Sequence, residues 1–304
     1  SRHMYDWSKM KKFTILIPIY NDWESLKKLL DNINDNIKDI TNAEFSCVIV
    51  NDSSTINNSE IKILSDINSI KIIHMNKNRG HARCNAFGIK YLSKNQDLDY
   101  VILMDGDGED RPEELKLLVN KVLSEPDTSV VAKRIKRSEG FLFQSLYSIH
   151  KYLTLLTTGK LINFGNYSCL TKADLKILSI KASLWSSFSG SFKKYIKKYN
   201  EINSLRGMRY FGPSQMSLFK LIVHSLSIIA VFKYRVFLVS FILISLSQYL
   251  AILTNFNFLF LQTIIILFNL FVFIISFREN KTELENCEAN IKNTEELTHQ
   301  KVVK

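Results

Sequence analysis

The feature that most constrains this chain is a long uncharged stretch in its C-terminal third. Residues 236–277 contain no Asp, Glu, Lys or Arg. A membrane-spanning helix needs about 20 apolar residues, so the stretch is long enough for two spans, with Asn255 and Asn257 at the turn. A buried hairpin in a soluble core is the alternative, but two adjacent uncharged helices of this length are rare in soluble domains. The stretch therefore predicts two transmembrane helices.

Basic residues flank the predicted spans at their outer ends. Lys233 and Arg235 precede the first span, Arg278 and Lys281 follow the second, and the turn between the spans is uncharged. Because basic residues stay on the cytoplasmic side of a membrane, we expect the large N-terminal domain and the tail 278–304 to be cytosolic.

The charge and cysteine content exclude some classes of protein. The formal net charge is +11, and attraction to anionic membrane lipids accounts for it. The sequence has no zinc-finger spacing and no aromatic–basic RNA motif, so we expect no nucleic-acid partner. The four cysteines form no C-x-x-C pair and indicate reduced cytosolic thiols. Residues 1–4 resemble a cloning remnant, and the N-terminal sequence does not have the pattern of a signal peptide. We therefore expect residues 1–10 to be an N-terminal extension outside the domain.

Residues 11–215 have the pattern of an α/β domain. Short apolar runs predict strands and 3.6-residue periodicity predicts helices, with strands at 13–19, 45–50, 70–74, 100–104 and from 130, and helices at 23–40, 82–92 and 113–123. This alternation predicts a Rossmann-like, mostly parallel sheet covered by helices on both faces. Residues 216–235 are apolar but carry Lys220 and His224, which predicts an amphipathic helix in the membrane surface.

Polar clusters follow three of the predicted strands, at residues 18–21, 51–53 and 105–107. Ligands of parallel sheets bind beyond the carboxyl ends of the strands, so we expect these clusters to meet in one crevice. Asp105 and Asp107 lie two residues apart on a glycine-containing loop, and carboxylate oxygens suit Mg²⁺ or Mn²⁺. A metal held there would neutralise a diphosphate. An acidic turn that caps the next helix is the alternative.

Five motifs then match one family in order and spacing: ILIPIYND, VIVNDSST, NKNRGHARCNAFGI, VILMDGDGEDRPEEL and RYFGPSQM. Together they resemble family 2 glycosyltransferases over about residues 12–217, and most of all the polyprenyl-phosphate branch. The resemblance implies a GT-A fold, a nucleotide-sugar donor, Mg²⁺ or Mn²⁺, and a polyprenyl-phosphate acceptor. It implies a hexosyltransferase on the cytosolic face of the bacterial inner membrane, in contact with membrane lipids.

The resemblance also assigns the donor and metal residues by position. Pro18, Tyr20 and Glu24 lie where the family surrounds the nucleotide base, although Glu24 also fits a solvated helix face. Asn51 replaces the first Asp of an Asp-Asp pair; its amide oxygen accepts a hydrogen bond but brings no charge. By resemblance to the bactoprenol glycosyltransferases of the polyprenyl-phosphate branch, a UDP-sugar is the preferred donor and a GDP-sugar the second. The remaining residues implied at the donor or the metal are Asp52, Asp105, Asp107 and Glu109.

Two basic clusters complete the resemblance, and guanidinium groups bind phosphate bidentately. One follows the strand that begins at residue 130, and the other belongs to the family pattern Arg-x-x-Gly-x-Ser-Lys, in which Gln215 replaces the Lys. A cationic face on anionic lipid is the alternative. The implied roles are catalysis by Asp107, Arg209 and Arg134, donor binding by Arg206, and acceptor-phosphate binding by Arg134, Arg137 and Ser214.

The late part of the domain lacks an obvious general base. Between residues 171 and 212 the only acids are Asp174 and Glu201, and neither lies in a Glu-Asp motif. A phosphate acceptor is ionised near neutral pH and needs no base, so the pattern favours a lipid phosphate. A lipid or glycan hydroxyl acceptor and a non-catalytic membrane scaffold with the same fold stay open. The sugar and the oligomeric state also stay open, with a homo-oligomer among the alternatives.

Overall fold

The predicted α/β alternation builds a single mixed sheet. The computed structural model describes residues 10–56, 60–136, 141–213 and 217–299. Within them, strands form an 8-stranded sheet in the order β7-β5-β6-β4-β1-β2-β3-β8. The strands are Lys11–Ile19 (β1), Ala43–Asn51 (β2), Ile67–Met75 (β3), Tyr100–Leu103 (β4), Val130–Lys136 (β5), Phe164–Thr171 (β6), Asn200–Leu205 (β7) and Ile291–Thr298 (β8).

Helices cover both faces of this sheet and continue beyond it. They are Trp23–Ile37 (α1), His81–Ser93 (α2), Leu115–Ser124 (α3), Phe141–Thr158 (α4), Lys172–Ser179 (α5), Phe188–Tyr195 (α6), Leu218–Ala230 (α7), Lys233–Thr254 (α8), Leu259–Ser276 (α9) and Lys281–Glu285 (α10). Short 3₁₀ turns occupy Pro112–Glu114, Ala182–Trp185 and Cys287–Asn290.

The centre of the sheet is parallel and its outer part is mixed. β1 pairs in parallel with β2 and β4, and β2 with β3. β6 is antiparallel to both β4 and β5, while β7 is parallel to β5. The α/β prediction is confirmed, and the parallel pairing holds for the four central strands.

Alternate residues of β1 divide the core into two layers, as the two-residue repeat of a strand requires. Ile15 and Ile17 belong to the cluster that includes the buried residues of α1 and α3. Leu16 belongs to the opposite cluster, with Phe87 of α2. A Cβ atom at Gly88 would overlap the Leu16 side chain, so glycine permits the close approach of α2 to β1.

Helices α8 and α9 form the predicted apolar hairpin. Both are long and apolar enough to cross a membrane, and most of their surface is not covered by the rest of the protein. Asn255 has φ 53° and ends α8 in the left-handed conformation, which asparagine tolerates better than most residues. The segment before the hairpin is helical from Leu218; Leu218, Phe219 and Ile222 are exposed at its start, and its last turn is buried.

The segment after the hairpin differs from the tail that we expected at 278–304. It returns to the domain through α10 and the turn Cys287–Asn290, and β8 then pairs antiparallel with β3. The sequence IKNTEELT has no apolar alternation, which is the usual strand signal. Charged edge strands are common because they discourage further pairing, and this one covers an edge that β3 would otherwise expose.

Candidate active site

The predicted convergence of strand ends occurs between β1 and β4. The chain lays β2 and β3 on one side of β1, then places β4 on its other side. Such a reversal of strand order opens a crevice at the carboxyl ends of the strands. The crevice is bordered by Tyr20–Asp22 after β1 and by the acidic loop, residues 105–110, after β4.

Hydrogen bonds hold the acidic loop in a defined shape. Oδ1 of Asp105 lies 3.0 Å from His81 Nε2 and accepts a hydrogen bond of 3.2 Å from the side chain of Asn166. The backbone N–H of Asp105 donates to Oδ2 of Asp110 at 2.9 Å, and the N–H of Glu109 donates to the Asp107 carboxylate at 3.0 Å. These contacts fix the carboxylates of Asp105 and Asp107 within the loop.

The loop concentrates carboxyl groups. Burial and the charge of Asp105 raise the pKa of Asp107 to about 6 and that of Asp110 to about 8. Burial also acts on Asp105, but the charge and hydrogen bond of His81 outweigh it and hold the pKa of Asp105 below its usual value. Carboxylates that crowd one another in this way favour a nearby cation.

Two arginines from the segment after β7 neutralise part of this charge. We call residues 206–211 the basic strap. Arg209 donates to Oδ2 of Asp107 at 2.9 Å and to Oδ2 of Asp22 at 2.7 Å, so it bridges the ends of β4 and β1. Arg206 forms an ion pair with Glu109. The structure therefore uses Glu109 as the partner of an arginine, where the sequence predicted a metal-proximal ligand.

The backbone of the strap also rests on the acidic loop. The N–H of Tyr210 donates to the carbonyl of Asp107 at 2.9 Å, and its hydroxyl accepts a 2.7 Å hydrogen bond from Asn32 of α1. Gly108 has φ +89°, and a Cβ atom there would lie 2.6 Å from the Tyr210 ring. Glycine is required at this position both for the backbone conformation and for the contact.

Asn51 lies at the end of β2 with its amide already engaged. Its Oδ1 accepts from the N–H of Ser54 at 3.0 Å, and its Nδ2 lies 2.9 Å from His74 Nδ1. Nε2 of the same His74 ring lies 3.1 Å from a carboxylate oxygen of Glu295 of β8. The C-terminal strand thus lies beside the histidine that contacts the predicted base-binding residue.

The Asp52 carboxylate is engaged by the loop that begins α2. Its two carboxylate oxygens accept from the backbone N–H groups of Arg79 and Gly80, each at 2.8 Å. Burial raises its pKa although both hydrogen bonds oppose the shift. Asp52 therefore fixes the loop that begins α2. Its influence on the crevice is indirect, through the position of that loop.

The other residues predicted to surround the nucleotide base lie at the end of β1 or in the first turn of α1. The carbonyl of Pro18 packs under Gly106, where a Cβ atom would lie 3.2 Å from it. Tyr20 is exposed beside the crevice, and Glu24 is exposed in the first turn of α1. This position of Glu24 agrees with the solvated helix face that we kept as an alternative.

Of the predicted phosphate-binding residues, the structure places Arg134 near the acidic loop. It extends from β5 against Gly165, and its charge lowers the pKa of Asp105. Arg137 and Ser214 lie outside the described residues. The crevice therefore gathers Asp105, Asp107, Arg134 and Arg209 into one neighbourhood.

Sequence reasoning missed three residues of this neighbourhood. Asp22 ends the motif ILIPIYND, and Asp110 ends the acidic run, so both had a local signal beside a predicted strand end. Asn166 had none, because its place beside Asp105 depends on the antiparallel pairing of β6 with β4. His81, the first residue of α2, also belongs to this neighbourhood through its contact with Asp105.

A divalent metal fits the chemistry of this loop. Within the described ranges no group of three His, Cys, Asp or Glu side chains is arranged to hold a metal ion. However, Asp105 and Asp107 offer oxygen ligands of the kind that Mg²⁺ and Mn²⁺ prefer, and their mutual repulsion is the charge excess that such an ion removes. The donor set therefore suits an ion completed by ligands from outside the chain.

Sequence comparison decides the family. The profile described as glycosyl transferase family 2 matches residues 14–206, which is more than half of the chain. The chain belongs to glycosyl transferase family 2. The matched region runs from within β1 to the end of β7 and includes both predicted aspartates and the first residue of the basic strap. The family resemblance inferred from the motifs is therefore confirmed.

Curated relatives are similar over about 70% of this chain. The undecaprenyl-phosphate 4-deoxy-4-formamido-L-arabinose transferase of Serratia proteamaculans is 28% identical over 221 residues, which cover 70% of this chain and 65% of that protein. The enzyme of the same description from Photorhabdus laumondii is 28% identical over 224 residues, covering 71% and 66%. The match thus spans just under two thirds of each relative's length.

Comparison of structures supports the fold. Glucosyl-3-phosphoglycerate synthase from Mycobacterium tuberculosis, in complex with Mn²⁺, UDP-glucose and phosphoglyceric acid, superposes with a TM-score of 0.51 at 14% identity. The match covers 74% of this chain and 80% of that one. At this identity the likeness bears on the fold alone, and it confirms the predicted GT-A architecture.

Proposed function

We propose that this protein is a metal-dependent, inverting glycosyltransferase that moves a sugar from a nucleotide-sugar to a polyprenyl phosphate at the cytosolic face of a membrane. The observation that carries the proposal is the crevice at the β1–β4 reversal, where Asp105 and Asp107 face two guanidinium groups. Family membership and the names of the relatives support it. By resemblance to the bactoprenol branch, the preferred donor is a UDP-sugar and the second a GDP-sugar.

In this proposal Asp105 and Asp107 hold Mg²⁺ or Mn²⁺, which when bound supplies positive charge to the donor diphosphate. Arg209 stays at the same place and contributes a guanidinium to the leaving diphosphate, and Arg134 contributes another from β5. Positive groups fixed where charge develops stabilise a transition state without reorganisation. The acceptor phosphate oxygen attacks the anomeric carbon from the face opposite the diphosphate, which inverts the configuration.

The location of the late acids favours a phosphate acceptor over a hydroxyl. Asp174 accepts a hydrogen bond from Ser129 beside Thr171, and Thr171 pairs with Tyr100 at the start of β4. That is the edge of the sheet opposite the crevice. Glu201 pairs with Lys133 on the outer strands. Neither acid is positioned to deprotonate a sugar hydroxyl, and a phosphate acceptor needs no such base.

The return of the chain to the sheet supports a cytosolic site beside a membrane. Because β8 pairs with β3, the residues on both sides of the α8–α9 hairpin lie on the same side as the sheet, so the hairpin crosses twice or not at all. Lys233, Arg235 and Arg278 at its base favour the cytoplasm for that side. Exposed apolar residues on α4, including Ile149, Tyr152 and Leu156, and on α7 offer a surface for the lipid boundary.

The decisive experiment measures transfer of labelled sugar from nucleotide-sugars to polyprenyl phosphate, with Mg²⁺ or Mn²⁺. We expect Asp107→Ala and chelation with EDTA each to reduce the rate by about a thousandfold or more, because positive charge at the diphosphate is lost. Glu113→Gln, on the same loop region but half exposed beside Arg111, is the control and keeps the wild-type rate. Transfer that survives Asp107→Ala contradicts the metal site.

Calorimetric titration with UDP and GDP, with and without Mn²⁺, tests the donor and the alternative of a non-catalytic scaffold. One observation favours the scaffold: the Asn51 amide and the Asp107 carboxylate are both already engaged with protein groups. The proposal expects Mn²⁺-dependent binding that is tighter for UDP than for GDP. Absence of binding for both nucleotides favours the scaffold.

A further inference from the structure

A second concave site lies on the other side of the α2 N-terminus from the acidic loop. It is a cavity of about 290 Å³ between the end of β3, the first turns of α2 and the segment that follows α9. We call it the arginine cavity. Its lining includes Lys77, Arg79, Arg83, Trp185, Glu283 and Cys287.

Basic side chains outnumber the carboxylates that can neutralise them there. Asp52 also lines the cavity, but both of its oxygens accept backbone N–H groups. Glu283 accepts from Trp185 Nε1 at 2.8 Å and lies 3.6 Å from a terminal nitrogen of Arg79. One available carboxylate therefore faces Lys77, Arg79 and Arg83.

Arg83 shows this imbalance most clearly. Burial and the like charge of Arg278 lower its pKa, although Glu283 opposes them. Its Nε is buried and has no hydrogen-bond partner within the described part of the chain, and the same is true of Nε of Arg278. The guanidinium lies 5.8 Å from the centre of the Trp185 ring. Buried donors left without a partner are rare and call for an acceptor from outside the protein.

The arginine cavity adjoins the base of the apolar hairpin. Arg278 follows the end of α9, and Glu279 beside it forms a 3.0 Å ion pair with Lys233 at the start of α8. The wall made by Glu283 and Cys287 belongs to the same C-terminal segment. The cavity is thus assembled by the chain immediately after it leaves the apolar helices.

We propose that the arginine cavity binds the phosphate group of an anionic ligand through Arg79 and Arg83. Guanidinium groups form short, charge-assisted hydrogen bonds with phosphate oxygens, and the volume accommodates a phosphate with its first substituent. Two sources share this chemistry: the headgroup of an anionic phospholipid at the hairpin base, and a soluble phosphate. The proposal does not rest on sugar transfer, because Asp105, Asp107 and Arg209 lie outside the cavity lining.

The experiment uses the emission of Trp185, which lines the cavity, in the full-length protein. One arm titrates the detergent-solubilised protein with inorganic phosphate. The other compares protein in nanodiscs of phosphatidylcholine alone with nanodiscs that also contain phosphatidylglycerol. We expect a saturable change of emission in at least one arm, and its loss in Trp185→Phe, since only two other tryptophans are present. A response in one arm alone identifies the source.

Charge variants then test the site itself. Arg83→Gln is expected to weaken binding at least tenfold, whereas Lys121→Gln, which removes the same charge from an α3 ion pair with Glu125, leaves it unchanged. Arg79 is half exposed, so Arg79→Gln is the substitute variant if Arg83→Gln does not fold. It is expected to weaken binding at least threefold. Thermal unfolding checks each variant.

Some outcomes overturn the proposal. They are the absence of a saturable signal in both arms, equal weakening by Lys121→Gln, and unchanged binding in folded Arg83→Gln or Arg79→Gln. Arg209→Gln separates the two sites: it is expected to impair sugar transfer while the Trp185 titration stays as in the wild type. If transfer fails in the wild type but the titration succeeds, the arginine cavity stands without the proposed enzyme.

Discussion

The crevice and the arginine cavity lie on either side of the loop that begins α2, and their charges are opposite. In the crevice, Asp105, Asp107 and Asp110 crowd together, and burial with mutual repulsion raises the pKa of Asp107 and Asp110. In the cavity, like charges and burial lower the pKa of Arg83. One region is built around carboxyl groups and the other around guanidinium groups.

The two sites differ in whether their charged groups have partners within the protein. In the crevice the basic strap supplies Arg209 to Asp107, so the negative charge has a partner that is itself on a loop. In the cavity the buried Nε of Arg83 has no protein partner within the described residues. In the crevice, a ligand can replace Arg209 as the partner of Asp107. In the cavity, the buried Nε of Arg83 can gain a hydrogen-bond acceptor only when a ligand binds, because a buried polar group without a partner is costly.

The largest effect is expected when the arginine that pairs with the acidic loop is removed from the basic strap. Arg209→Gln removes the guanidinium that bridges Asp107 and Asp22, and we expect the rate of sugar transfer to fall by about a hundredfold, as when one transition-state donor is lost. Steady-state kinetics with saturating Mn²⁺ measures it. Arg111→Gln, whose ion pair with Glu113 is 3.5 Å long, is the matched control. A wild-type rate in Arg209→Gln would mean that the contact of Arg209 with Asp107 and Asp22 has no part in sugar transfer.

A smaller effect, of opposite sign, is expected in the cavity. Glu283→Gln removes the available carboxylate beside Arg79, yet its amide oxygen still accepts from Trp185 Nε1. We expect phosphate to bind about three- to tenfold more tightly, because a charge near a partly exposed site contributes about 1 kcal/mol. The Trp185 titration measures it. Glu288→Gln, which loses the ion pair with Lys94, is the control. Weaker binding in Glu283→Gln contradicts the charge argument.

The smallest effect concerns the packing of the strap. Tyr210→Phe keeps the ring over Gly108 but loses the 2.7 Å hydrogen bond from Asn32. A neutral hydrogen bond contributes about 1 kcal/mol, so we expect the Michaelis constant for the donor to rise a few-fold with little change in kcat. Tyr91→Phe on α2 provides the comparison. A large loss of kcat would instead give the hydroxyl a part in the reaction.

Much of the crevice was predictable because its residues lie next to strand ends. A continuous apolar run such as VILM predicts a buried strand, and the polar residues that follow it must lie at the edge of the sheet. The position of Asp105 and Asp107 at the end of the sheet was predictable for that reason. Asp52 was placed at the right edge, but whether its oxygens face a ligand or the N–H groups of Arg79 and Gly80 depends on how α2 packs.

The arginine cavity and β8 were beyond prediction for a related reason. Lys77, Arg79 and Glu283 come from segments about two hundred residues apart, and no local pattern in IKNTEELT marks an edge strand. Their meeting depends on the hairpin returning the chain to β3. Without that return, Arg83 would lie on a solvated helix face and need no partner.

By itself, the sequence determined the α/β alternation, the membership of glycosyl transferase family 2, the two long apolar helices and the carboxylate pair after β4. These follow from hydrophobic periodicity and from short motifs, which act over a few residues. Only the tertiary structure decided that Arg209 bridges Asp107 and Asp22, that Glu109 pairs with Arg206, and that the C-terminal segment completes both the sheet and a cationic cavity. The physical reason is that charge pairing and edge-strand pairing depend on distance in space. For segments remote in sequence, that distance is set by the strand order of the whole sheet.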